Sequence, residues 1–123
     1  KNNQAIVANT TGLTGSAVFM VKSIAKVASN IEIEFNMVPK LPSTYSVTAA
    51  ADQKSVVIEN IGTIAGFNDD ADVSTPTVTV SGMKLIITGV SGTGNVVFTP
   101  DSAFTNNSGA AVNTDVKAYV TIS

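Results

Sequence analysis

Hydrophobic and polar positions alternate with a period of two along much of this chain. Ile31, Ile33 and Phe35 alternate with Glu32, Glu34 and Asn36; Val116, Ala118, Val120 and Ile122 alternate with Lys117, Tyr119 and Thr121. Such a period places one face of a strand on a core and the other in water. Tyr45, Val47 and Ala49 form a third segment of this kind. Lys54 to Asn60, Pro76 to Val80, Met83 to Thr88 and Asn95 to Thr99 read as further strands, and so does Ala17 to Val21. Gly, Asn and Ser clusters separate the runs at the spacing of a sandwich, so the pattern predicts an all-β, antiparallel sandwich of about seven to eight strands. The segment Val80-Ser81-Gly82-Met83 predicts a tight turn, and Gly89 to Gly94 a glycine-rich hairpin loop.

Two stretches are less regular. Val18, Val21, Ile24 and Val27 recur every third residue, as on a helix, but β-branched enrichment and the strand that follows favour an extended reading. Residues 1–15 form an N-terminal extension or first strand, with the small apolar island Ala5-Ile6-Val7-Ala8 between polar flanks. The domain proper is expected over 16–123. The predicted core comprises Ile31, Ile33, Phe35, Val56, Ile58, Val78, Val80, Ile87 and Val97, with Val116, Ala118, Val120 and Ile122 from the last strand.

Composition narrows the function classes. The 123 residues suit one domain. There is no His, Cys, Trp or Arg, so most nucleophile–base pairs and all disulfides are excluded. The formal charge is −2, and all the positive charge sits on seven scattered lysines. That leaves no basic stripe for nucleic acid. No apolar run reaches the ~18 residues that span a bilayer. Only 13% of residues are charged, and Thr, Ser and Asn take their place. A neutral polar β surface of this kind points to work outside the cell. The chain begins at Lys1 rather than Met, which leaves room for an upstream leader or a neighbouring domain.

Candidate chemistry is sparse. Asn68-Asp69-Asp70-Ala71-Asp72-Val73-Ser74 is the one acidic cluster, and Asp69, Asp70 and Asp72 are candidate calcium ligands because hard oxygen donors on a loop suit that ion. The loop lacks the glycine and the closing Glu of an EF-hand; the competing reading is a solvated turn. Glu32 and Glu34 share a sheet face, and a solvated face accounts for them better than a hydrolytic pair. Lys22 or Lys26 with Asn113 or Asp115, and Glu34 as the acid, are the residues an intramolecular isopeptide bond needs, although ordinary surface lysines are the simpler reading. Asn9 and Asn106 head N-glycan acceptor sequences. Phe67 and Tyr119 are the rings expected to be exposed, too few for a sugar platform.

Two segments resemble the immunoglobulin-like modules of bacterial S-layer proteins and large cell-surface adhesins. One is Val21 to Asn36 followed by Tyr45-Ser46-Val47, which looks like the first hairpin of those modules. The other is Gly89 to Asn95, then Pro100-Asp101-Ser102-Ala103-Phe104 through Val112 and the closing strand Val116 to Ile122. The resemblance covers roughly Val21 to Ser123 and implies an immunoglobulin-like sandwich. At the turn where those modules carry Asp-x-x-Gly-Asn, this chain has Thr105-Asn106-Asn107-Ser108-Gly109.

The resemblance, beside a nearly empty catalytic inventory, implies a non-enzymatic structural module of a prokaryotic cell surface, giving spacing and lattice or surface contacts. Its expected partners are other copies or neighbouring surface domains, with no nucleic acid and no membrane insertion. The second reading is an extracellular filament or pilus subunit. In it Ile6 and Val7 fill a neighbour's open sheet edge by strand exchange.

Overall fold

The computed structural model describes residues 3–7 and 18–123. Among these the chain forms ten strands and no helix. They are β1 (Asn3–Val7), β2 (Val21–Val27), β3 (Asn30–Phe35), β4 (Val47–Ala49), β5 (Ser55–Ile58), β6 (Gly62–Phe67), β7 (Asp72–Ser81), β8 (Lys84–Ser91), β9 (Gly94–Pro100) and β10 (Val116–Ile122). Two antiparallel sheets pack face to face. One has the order β1-β10-β9-β6-β5-β4, the other β2-β3-β8-β7. The β-sandwich expected from the alternation is therefore present, with more strands than the expected seven to eight.

The core follows the alternation. Ile31, Ile33 and Phe35 of β3 and Val116, Ala118 and Val120 of β10 are all buried, and β10 packs against β2 of the other sheet. Phe35 lies at the centre of an aromatic cluster, with ring centroids 5.2 Å from Phe19, 5.3 Å from Phe104 and 6.3 Å from Phe98. Phe19 and Phe104 sit outside the strands. Asn36 fixes the first of them. Its Oδ1 accepts from the Met20 amide at 2.9 Å, and its Nδ2 donates to the Val18 carbonyl at 2.7 Å. This side chain supplies the pairing that a strand would otherwise give to residues 18–20.

Several expectations need correction. Of the strand expected at Ala17 to Val21, Ala17 lies outside the described residues and Val18 to Met20 are not in a strand; β2 begins at Val21, and the extended reading of the following residues holds over Val21–Val27. Val97 points outward; Val96 and Phe98 are the buried residues of β9, in step with Gly94 and Pro100. Val80 is half-buried because it lies near the end of an edge strand. Phe67, expected exposed, is buried. A β-bulge at Gly66 is the reason: the amides of Gly66 and Phe67 both donate to the Lys54 carbonyl, which shifts the parity of the strand and turns Phe67 inward. Gly66 has φ 106°, and a Cβ there would collide with the Asn95 carbonyl oxygen, so glycine is required. Gly89 to Gly94 is not a hairpin loop, since β8 and β9 belong to different sheets and the segment crosses between them. The tight turn expected at Val80–Met83 is present one residue further on, at Ser81–Lys84, with Gly82 at φ 60°.

The four-stranded sheet has the A-B-E-D order of an immunoglobulin sandwich. The other sheet differs. From β3 the chain passes to the outer strand β4 and then works inward through β5 to β6, which pairs with β9. An immunoglobulin chain places the first strand of this series beside F.

The sandwich has two distinct poles. The Asn113 amide donates to the Phe19 carbonyl at 2.9 Å, just ahead of β10 and β2 respectively. At the far ends of the same two strands, Ala25–Val27 and Val120–Ser123 line one groove of about 470 Å³. β2 and β10 therefore run in the same direction, from a Phe19 pole to an Ile122 pole. β1 is antiparallel to β10, with Asn3 opposite Val120 and Val7 opposite Val116. It thus runs the opposite way and ends at the Phe19 pole.

Candidate functional site

The acidic cluster lies on the crossover from β6 to β7. Its three carboxylates have separate tasks. Asp69 adopts φ 62° and lies 3.7 Å from the Lys54 ammonium, with both side chains largely exposed. Asp70 accepts the Thr93 amide on both oxygens at 3.0 Å and the Thr93 hydroxyl at 2.6 Å. These bonds, the hydroxyl's first, hold the Asp70 carboxyl below its usual value of 3.8. Asp72 opens β7 opposite Ser91. Among the described residues no group of three or more acidic side chains is placed to share a metal ion. The structure therefore does not gather Asp69, Asp70 and Asp72 into one ligand set; Asp70 instead ties two inter-sheet crossovers together.

The other candidates from the sequence are dispersed as well. Lys22 and Lys26 are exposed on the edge strand β2, whereas an isopeptide bond needs a buried lysine. Asn113 accepts the Asp115 amide at 2.8 Å in a local turn. Asn106 is only 6% exposed, and its Oδ1 accepts the amides of Ser108 and Ala110 at 2.9 Å each. A buried side chain committed to the inside of its own loop is not a glycan acceptor. Asn9 lies outside the described residues. Ile6 and Val7 belong to β1, which pairs with β10 of the same chain. Tyr119 is exposed, as expected, on the outer face of β10.

That outer face carries a feature the residue-by-residue reading missed. Among the described residues, Lys117 is the one charged residue in the six strands of the larger sheet. The smaller sheet contains Lys22, Lys26, Glu32, Glu34, Asp72 and Lys84 in its four strands. Two of these form a cross-strand ion pair, Lys84 Nζ to Glu32 Oε1 at 3.2 Å. On the larger sheet the register aligns Tyr119 beside Val97 and Val97 beside Ala65, while Val57 lies opposite Thr48 and Thr63. Tyr119 is 40% and Val57 47% exposed. The result is a neutral surface of Tyr, Val, Ala and Thr at positions where a solvent-facing strand ordinarily carries Lys or Glu. Charge depletion together with enrichment in aromatics is a general mark of protein contact surfaces.

No helix among the described residues is long and apolar enough to cross a membrane. Comparison with known protein families, with curated proteins and with solved structures gives no match.

Proposed function

We propose that this chain is a non-catalytic structural module of a prokaryotic cell-surface protein, and that it makes lateral contacts with neighbouring copies or domains through the outer face of its larger sheet. The observation that carries the reading is the charge asymmetry of the two sheets, with Lys117 alone on one and an ion-paired, charged surface on the other. Burying this Tyr/Val/Thr surface against another removes apolar area from water and leaves only the charge of Lys117 to be kept hydrated. The immunoglobulin-like resemblance and the Thr-, Ser- and Asn-rich composition support an extracellular setting. The polar side chains that looked like chemistry support a structural role, because Asp70 and Asn106 act as clamps within loops.

The test is a charge-substituted face. In sedimentation velocity across rising concentration, the wild type should associate, and Val57→Lys with Tyr119→Lys should remain monomeric at the same thermal stability. A wild type that stays monomeric throughout, or a variant that associates equally, would sink the lateral-contact reading. Antibody labelling of intact source cells checks the surface location.

A second reading is strand exchange through β1. Its support is positional: β1 lies at a sheet edge, and among the described residues it pairs with β10 alone.

A further inference from the structure

We propose that β1 can be exchanged between two copies of this chain and that the exchange closes a two-fold dimer rather than building a head-to-tail fibre. The inference does not depend on contacts through the larger sheet's face.

Strand direction decides between the two outcomes. β1 is held by β10 in the register Asn3–Val120, Gln4–Tyr119, Ala5–Ala118, Ile6–Lys117 and Val7–Val116. A second copy's β1 has the same sequence, so it meets the same complementary edge, and main-chain pairing supplies the register. The donor strand must then run antiparallel to the acceptor's β10. Its connected end, Val7, leaves at the acceptor's Phe19 pole. The donor's own body resumes at residue 18, beside Phe19 and therefore at the donor's Phe19 pole. Ten residues, 8–17, separate the two in sequence. At most about 35 Å of chain is available to join them. Exchange therefore brings the two Phe19 poles close together.

A fibre requires the donating end and the receiving end to lie at different places on the molecule, so that each contact leaves a new one open. Here both lie at one pole. When one copy lends its β1, the same approach places its own vacated β10 edge within reach of the partner's β1. The reciprocal exchange satisfies both edges and leaves none open, which is the self-complementary relation of a two-fold axis. The Ile122 poles then lie away from the shared one. Because the swapped and unswapped forms make the same β1–β10 pairs, their balance depends on concentration. A connection of only ten residues gives an effective concentration on the order of millimolar, and exchange competes as the protein approaches that level.

The chain contains no cysteine, so an engineered pair reports without interference. In the double variant Ile6→Cys/Lys117→Cys, the register places the two thiols opposite each other. The variant is unfolded, refolded at a series of concentrations up to about 1 mM, oxidised, and run on a non-reducing gel. Closed exchange gives a covalent dimer whose fraction rises with concentration, with no larger species. A ladder of trimers and tetramers would establish a fibre, and a covalent monomer at every concentration would establish that β1 stays at home; either overturns the proposal. Co-refolding the single variants Ile6→Cys and Lys117→Cys, one bearing a mass tag, gives a second readout that does not need the double variant to fold. A cross-linked mixed dimer is expected, and its absence at the highest concentration counts against exchange.

Discussion

Thr93 donates both its backbone amide and its hydroxyl to the carboxylate of Asp70. The two residues stand on different crossovers, one leaving the larger sheet after β6 and one entering it before β9. A single side chain thus pins together two of the connections that hold the sheets in register. Gln53 reinforces the same corner through its Nε2, which donates to the Ala71 carbonyl at 3.0 Å.

Asp70 makes this clamp pH-dependent. Its carboxyl is lowered from 3.8 in the folded protein, chiefly by the Thr93 hydroxyl. A group with a depressed folded value stabilises the fold above its unfolded value and loses that contribution as pH falls through the folded one. Asp70→Asn should therefore melt below the wild type at neutral pH, and the gap should narrow once the pH drops beneath 3.8. Paired thermal melts from pH 7 to pH 2 check this, and a gap that is constant with pH would refute the charge-based account.

Phe35→Ala should cost about 3–5 kcal/mol, from lost transfer energy plus a residual cavity. The residue is fully buried and touches three other rings, so no neighbour can collapse into the space without breaking its own packing. Urea unfolding should show a lower midpoint at unchanged slope.

Glycine substitutions should separate by position. Gly66→Ala forces a Cβ against the Asn95 carbonyl at φ 106°, whereas at Gly82, with φ 60°, the same Cβ meets nothing. Gly82→Ala carries only the left-handed backbone cost, on the order of 1 kcal/mol. Gly66→Ala should exceed it clearly, and equal destabilisation in chemical denaturation would show that the bulge relaxes freely.

Asn106→Ala should destabilise the loop between β9 and β10 by about 1–3 kcal/mol, the range for amides left without a partner. The amides of Ser108 and Ala110 lose their acceptor. Hydrogen exchange at these two amides should accelerate in the variant while β3 and β8 stay protected. Unchanged exchange would mean that the backbone, not the side chain, organises this turn.

The sequence made some of this visible and hid the rest for identifiable reasons. β3 and β10 alternate without interruption, so their buried faces are read directly. In β9 two valines are adjacent, and period two alone does not say whether Val96 or Val97 turns inward; Phe98 and its neighbours across the sheet decide it. The parity of β6 is reset at Gly66, which hides the burial of Phe67. Phe19 and Phe104 pack into the core from segments with no strand periodicity, held there by hydrogen bonds such as those of Asn36 that no pattern encodes. The neutral face of the larger sheet is spread over six separated segments. Their lack of charge becomes one surface only when the topology sets them side by side.

The placement of Asn3 beside Val120 has a mechanical consequence. Tension applied through the two ends of the chain pulls β1 and β10 apart from the same pole, so their bonds open one after another instead of resisting together in shear. Each net bond is worth only about 0.5–1.5 kcal/mol, and sequential rupture presents them singly. β1 should peel away at low force. The remaining sandwich then bears load along its length, from the Phe19 pole to the Ile122 pole. The first strand acts as a shock absorber in series with a stiffer body.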